Sequence, residues 1–229
     1  MALLSYQQDF ISFLIASGAL TFGEFTLKSG RKAPYFINTG NFNDGEKISR
    51  LGAFYASHLA QNRLTEARTI FGPAYKGIPL AVATSAALFR EHKLNIGFTF
   101  NRKEAKDHGD KGTMVGMQIQ PGDPVVIVED VITAGTTLSE VVPMLRDLTK
   151  ALILGVVIAC DRCERGSNTT SGKMSAVQEV KDSLKVPVFP LITVHDIITY
   201  LSAPNASGMK LSPDIRQKIL SYLEQYGAT

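Results

Sequence analysis

The stretch Val125-Val-Ile-Val-Glu-Asp-Val-Ile-Thr-Ala-Gly-Thr-Thr137 decides how this sequence is read. Four consecutive β-branched apolar residues describe a strand buried on both faces, as strands of a parallel sheet are. The run ends on Glu129 and Asp130 and turns through Val131, Ile132, Thr133, Ala134 and Gly135 into a helix opened by Thr136 and Thr137. Small residues let the backbone close on a ligand. The helix N-terminus presents free N–H groups and a positive dipole, and threonine hydroxyls add donors, so the turn reads as a phosphate cradle. Two carboxylates would repel a phosphate and must face something else, and vicinal hydroxyls such as a ribose diol suit them. A capped helix beside two solvated acids is the plainer reading, but the conjunction at one strand-to-helix switch favours the cradle.

Working outward, strands are expected at 69–71, 96–100, 125–128, 152–159 and 188–191, separated by helices at 78–91, 136–148 and 175–185. Upstream, Tyr6, Phe10, Phe13 and Leu14 have helical spacing, with Gly18 placed to end the helix. Segments 22–27 and 33–38 flank Ser29-Gly30 as a hairpin, and helices are expected at 44–61 and 214–226. Alternating strands and helices imply an α/β fold, a parallel sheet with helices on both faces. With no internal repeat and no linker, the expectation is a single domain over 1–229 with a small N-terminal subdomain, about 1–40. Two stretches, 101–112 and 161–173, are long for such connections and rich in charge and glycine; loops at strand ends are where ligands bind in open sheets.

Composition excludes several classes. The 229 residues are 45% hydrophobic and 20% charged, with a net charge of +3, which is too weak a balance for a nucleic-acid binder. The longest apolar run, 151–160, is too short to span a bilayer, and the first basic residue is Lys28, so no signal peptide is expected. Cys160 and Cys163 lack a second pair to complete a zinc site, and Asp161 disfavours a thiolate, so two unpaired thiols in a reducing, cytoplasmic compartment are expected. His58, His92 and His195 belong to no motif and read as structural.

Two further segments carry chemistry. Gly72-Pro-Ala-Tyr-Lys-Gly77 again lies between strand and helix, and Lys76 there opposes the helix dipole unless an anion binds. Arg102-Lys-Glu-Ala-Lys-Asp-His-Gly-Asp-Lys-Gly112 has four cations, three anions, one histidine and almost nothing apolar. A solvated surface loop is its plain reading; a lid over a polyanion, at about 100–112, is its functional one.

The 125–137 segment resembles the phosphoribosyl-diphosphate signature of the type I phosphoribosyltransferase family. Leu27-Lys-Ser-Gly-Arg31, Pro34-Tyr-Phe36, Phe71 to Pro79, Phe100 to Gly109 and Cys160-Asp-Arg-Cys-Glu-Arg-Gly166 resemble its orotate-using members, so that the similarity runs over nearly the whole chain. The resemblance implies a central parallel sheet under an N-terminal hood, a homodimer, magnesium as cofactor, and 5-phosphoribosyl 1-diphosphate and orotate as substrates in pyrimidine (UMP) biosynthesis. It implies that Lys28, Tyr75, Lys76 and the 129–137 turn contact the sugar donor, with a cis peptide at Ala74–Tyr75. Lys103 would serve its own subunit, whereas Arg102, Lys106 and His108 would reach across the dimer. Tyr35 and Phe36 would stack on the pyrimidine, although strand packing is the plain reading of both, and Thr133 and Arg162 would hold orotate. The implied catalytic set is Lys106, His108, Arg102, Lys103 and Asp130. Glu129 stands where the family often has Asp. A regulatory protein of the same fold, or a transferase for purine bases, is the alternative.

Overall fold

The structure, a computed structural model, describes residues 3–27, 30–103, 113–133, 135–166, 174–203 and 210–228. Helix α1 (Ser5–Ala16) leads into an antiparallel hairpin of β1 (Leu20–Thr26) and β2 (Lys32–Ile37), then a 3-10 turn, Thr39–Asn41, and α2 (Gly45–Gln61). There follow β3 (Thr69–Gly72), α3 (Gly77–His92), β4 (Gly97–Asn101), β5 (Met114–Gly116), β6 (Pro124–Glu129) and α4 (Thr136–Thr149). The chain continues through β7 (Leu152–Asp161), α5 (Ala176–Leu184), β8 (Val188–Thr193), α6 (Val194–Ser202) and α7 (Pro213–Tyr226).

Successive residues of the central strands point to opposite faces, and both faces are dry. Val126 and Val128 of β6, with Ile70, Val157 and Ala159, join the core beneath α1–α3, α6 and α7. Val125 and Ile127, with Phe71, Val156 and Ile158, pack under Leu138, Val141, Val142 and Leu145 of α4 and Val180 of α5. This two-sided burial is why the strands read as unbroken apolar runs rather than alternating ones.

The sheet runs β5-β4-β3-β6-β7-β8. All neighbours are parallel except β4 and β5, so the all-parallel expectation is corrected at one edge. Three residues of β5 are too few to carry a sequence period. From β3 the chain crosses outward to β4, and from β6 it crosses the other way to β7. The order therefore reverses between β3 and β6, and the crevice at the carboxyl ends of those strands is where such a sheet binds ligands.

Caps place the helix starts. Asp44 Oδ1 accepts the Lys47 amide at 2.8 Å ahead of α2, and Ser175 and Gln178 form a reciprocal box ahead of α5. Helix α6, which the sequence reading passed over, has its own box in Thr193 and Asp196.

Gly52 sets the approach of α2 to α3. A Cβ there would lie 2.5 Å from the carbonyl carbon and oxygen of Ala83. In an open helix Gly→Ala gains about 1 kcal/mol. Here the obstacle is backbone, so overpacking of about 1–3 kcal/mol outweighs that gain. Gly52→Ala is therefore expected to lower the melting temperature, and thermal unfolding followed by circular dichroism reads it directly.

Candidate active site

Three strand ends supply the cleft, a cavity of about 800 Å³ whose walls include Phe36, Tyr75, Lys76, Asp130, Thr133 and Arg162. From β3, the loop Pro73–Lys76 is pinned where Asn101 Oδ1, at the end of neighbouring β4, accepts the Ala74 amide at 3.0 Å. The Ala74–Tyr75 peptide is cis, as the resemblance implied. Tyr75 is 69% exposed at the cleft edge, with Lys103 Nζ 5.2 Å from its ring centroid.

From β6, Glu129 and Asp130 arrive at the centre. The backbone of both is fixed: the Tyr55 hydroxyl donates to the Glu129 carbonyl at 2.7 Å, and the Ala159 amide of β7 donates to the Asp130 carbonyl at 2.9 Å. The turn that follows is anchored by Ile132, buried in the α4 core, so Ile132 can meet a ligand only through its backbone. Gly135 has φ +69, and a Cβ there would sit 2.5 Å from Val180 Cγ2, so both the left-handed backbone and the space require glycine. Gly135 is the N-cap of α4 and offers no capping side chain. The first amides of α4 are thus left for an anion, with Thr136 and Thr137 lining the cleft beside them.

The two acids differ sharply. Asp130 Oδ2 accepts from Thr39 Oγ1 at 2.6 Å and from Lys76 Nζ at 2.8 Å, and Oδ1 accepts the Val131 amide at 2.7 Å. Burial pushes the Asp130 carboxyl up, but the hydrogen bonds from Lys76, Thr39 and Val131 outweigh it and hold the group below its usual value. Burial, then the neighbouring Asp130 charge, push Glu129 up to about 8. Its Oε2 is buried with no hydrogen-bond partner among the described residues. The two carboxyls are thus driven in opposite directions, Asp130 towards its charged form and Glu129 towards its neutral one.

From β7, Asp161–Arg165 close the far end. Asp161 Oδ1 accepts the Cys163 amide at 2.7 Å, bending the chain through Cys163 at φ 52. Arg162 lies with its guanidinium carbon 5.1 Å from the Tyr35 ring centroid and its Nη2 2.6 Å from Glu164 Oε1. Both cysteines are free; burial pushes the Cys163 thiol up to about 12 and raises the Cys160 thiol as well, so neither is a ready thiolate.

Of the expected site residues, Phe36, Tyr75, Lys76, Glu129, Asp130, Val131, Ile132, Thr133, Gly135, Thr136, Thr137 and Arg162 line this one cleft. Tyr35 does not. It is 1% exposed, edge-on to Tyr222, because β2 alternates and only Phe36 faces the ligand side. Of the two aromatics expected to meet a base, Phe36 alone therefore lines the cleft. Arg102, whose amide donates to the Thr113 carbonyl, and Lys103 are described; Lys28, Lys106, His108 and Ala134 lie outside the described residues. Sequence reasoning missed Thr39, which no local motif marks, and Arg31 and Glu164, which stand inside the quoted motifs.

The comparisons agree with this geometry. Residues 38–188 match the family model described as a phosphoribosyl transferase domain. An orotate phosphoribosyltransferase of Bifidobacterium adolescentis is 48% identical across 98% of this chain and 99% of its own, and one of Clostridium beijerinckii is 42% identical across 98% and 99%. The crystal structure of orotate phosphoribosyltransferase from Francisella tularensis superposes with a TM-score of 0.83 at 33% identity, covering 96% of this chain and all of that one.

Glu129 also makes stability depend on pH. Its folded value, about 8, exceeds the ordinary 4.5, so between them the folded chain holds a proton that the unfolded chain has lost. The resulting stabilisation is complete below about 4.5 and is lost as pH rises through about 8. Melting temperatures of the wild type, measured from pH 5 to 9, should fall relative to those of Glu129→Gln, and parallel curves would contradict the neutral acid.

Matched by the family model over most of its length and by near full-length relatives, the chain belongs to the phosphoribosyltransferase family, in its orotate phosphoribosyltransferase branch.

Proposed function

We propose that this chain transfers the 5-phosphoribosyl group of 5-phospho-α-D-ribose 1-diphosphate to orotate, giving orotidine 5′-phosphate and diphosphate, in pyrimidine nucleotide synthesis. The observation that carries this reading is the uncapped α4 N-terminus beside Glu129 and Asp130, with Arg162 facing them across one cleft.

The chemistry follows from charge. The amides of α4 and the hydroxyls of Thr133, Thr136 and Thr137 take the 5′-phosphate. Asp130 and Glu129 take the ribose hydroxyls, and the Asp130 carboxylate lies where the ring becomes cationic as diphosphate departs. Lys76, Lys103, Arg102 and Lys28, with Lys106 and His108 of the lid, meet the charge that develops on the leaving group, an effect strongest once water is excluded. Phe36 stacks on the pyrimidine, and Arg162 pairs with its planar carboxylate as a fork suits. The orotate nitrogen attacks from the face opposite the leaving group, with inversion and no covalent enzyme intermediate.

Magnesium belongs to this reading. Among the described residues no group of three or more His, Cys, Asp or Glu could cage an ion. A hard cation held by the diphosphate, ribose oxygens and water, with the Asp130 carboxylate of the cleft nearby, would neutralise part of the leaving charge.

Lid action across a dimer is part of the proposal, and α3 supports it. Pro79, Val82, Ala86 and Phe89 form an exposed apolar stripe at helical spacing, Phe89 being 60% exposed. The stripe starts three residues after Lys76, so a second copy docked on it would adjoin the cleft mouth. Among the described residues no helix is long and apolar enough to cross a membrane. With two free thiols, a cytoplasmic setting fits.

Loss of orotate ultraviolet absorbance in the presence of phosphoribosyl diphosphate tests the reaction. It should require magnesium and should not occur with adenine, hypoxanthine or uracil. Tight donor binding without turnover would favour a regulatory protein instead.

Lys106→Ala is expected to lower kcat on the order of a hundredfold, with substrate binding far less changed. Mixed dimers of Lys106→Ala and Asp130→Asn subunits should recover part of the activity if the lid works in trans. Confirmed mixed dimers without recovery would rule the shared site out.

A further inference from the structure

The base end of the cleft holds more cationic groups than a substrate with one carboxylate requires. Arg31, Arg162 and Arg165 all line it. Arg165 is turned aside, its Nη2 donating to the Gln225 carbonyl. The other two converge on Glu164. Its Oε1 lies 2.6 Å from Arg162 Nη2 and accepts the Tyr35 hydroxyl at 3.2 Å, while its Oε2 lies 3.7 Å from Arg31 Nη1. The side chains of Arg162 and Glu164 are 13% and 12% exposed, so solvent screens this pair far less than a surface one.

We propose that Glu164 is a positioning residue for base recognition. The Tyr35 ring against one face of Arg162 and the Glu164 carboxylate beside Nη2 hold the guanidinium in place before substrate arrives. Its Nε and Nη2, which make no hydrogen bond among the described residues, stay available to a carboxylate. An arginine that need not be ordered on binding gives more of its interaction to affinity. Glu164 also offsets part of the charge of the two arginines that converge on it, so that they do not repel each other across the base end. This rests on the reading of Arg162 as the orotate contact.

The loop itself does not need the Glu164 side chain to keep its path. The Arg165 amide donates to the Tyr226 carbonyl at 2.8 Å, the Ala228 amide donates to the Cys163 carbonyl at 2.9 Å, and Glu164 bridges to Gly227 through its backbone. Glutamine at 164 keeps the shape and an oxygen for the Tyr35 hydroxyl, and removes the charge and the second acceptor, which faces Arg31.

Steady-state kinetics of Glu164→Gln, Arg162→Ala and the double variant test the proposal. Glu164→Gln should raise the orotate KM about tenfold while kcat and the phosphoribosyl-diphosphate KM stay within about twofold, the pattern of lost ground-state binding. In the Arg162→Ala background the same change should add nothing, because the partner it positions is gone. An unchanged orotate KM, an equal rise for both substrates, or multiplying losses in the double variant would overturn it. If Glu164→Gln does not fold, Tyr35→Phe reads the same coupling: a rise of about two- to threefold in orotate KM supports it, and no rise overturns it. Should Arg162→Ala alone leave the orotate KM unmoved, the underlying base contact fails, and that failure shows in the single variant whatever stands at 164.

Discussion

Everything in the cleft turns on keeping the Asp130 carboxylate charged in a half-buried place. Removing a carboxylate from water costs several kcal/mol unless close partners replace the lost solvent. Here the partners come from three separate segments: Thr39 from the turn after β2, Lys76 from the loop after β3, and the Val131 amide of its own turn. One acid thus ties the hairpin region to the crevice where the sheet order reverses. Glu129 has no comparable set of donors, and it gives up its charge instead. Two acids adjacent in sequence are separated electrostatically by what other segments bring to them.

That arrangement also reconciles an anion cradle with acids at its rim. The α4 amides and the Asp130 carboxylate lie on the same turn, but their charges do not meet directly, because Lys76 Nζ stands 2.8 Å from Asp130 Oδ2. In the proposed reaction a ribose diol reaching Asp130 would have to share or replace the Lys76 and Thr39 contacts. Lys76 would then turn to the diphosphate, and that double duty would account for a cation at a helix start where the dipole alone disfavours it.

Much of this was legible in the sequence, and the limits have physical causes. Strands β3, β6 and β7 were readable because burial on both faces leaves only apolar residues. The cradle was readable because a turn that closes on phosphate admits few residue types. Strand β5 was not, because three residues show no period, and α6 was missed although its box, Thr193 and Asp196, was in plain view, because it follows β8 without a turn. Tyr35 and Phe36 are adjacent aromatics, and nothing local says which of them faces in; the pairing of β2 with β1 and the docking of α7 decide it. Thr39 and Asp130 are 91 residues apart, and Tyr35 and Glu164 are 129 apart. No spacing rule reaches across such distances.

The fold and the base are chosen at different ends of the same cleft. In the proposed reaction the sheet reversal, the α4 terminus and the acid pair would specify a phosphorylated ribose and be indifferent to what replaces the diphosphate. Choice of base would fall to the loop after β7, where the Arg162 guanidinium rests on a buried tyrosine of the hairpin. A carboxylate on the incoming base can be met there by a fork already in place, whereas a purine would leave that buried charge without its partner. Rejecting a base that cannot answer a buried cation is the stronger discrimination, because an unpaired charge costs more than a poorly filled pocket. Phe36, which would stack on any flat ring, would add affinity but little choice. On the proposed reading, selectivity therefore rests on the charge held at 162 and on the groups that hold it there.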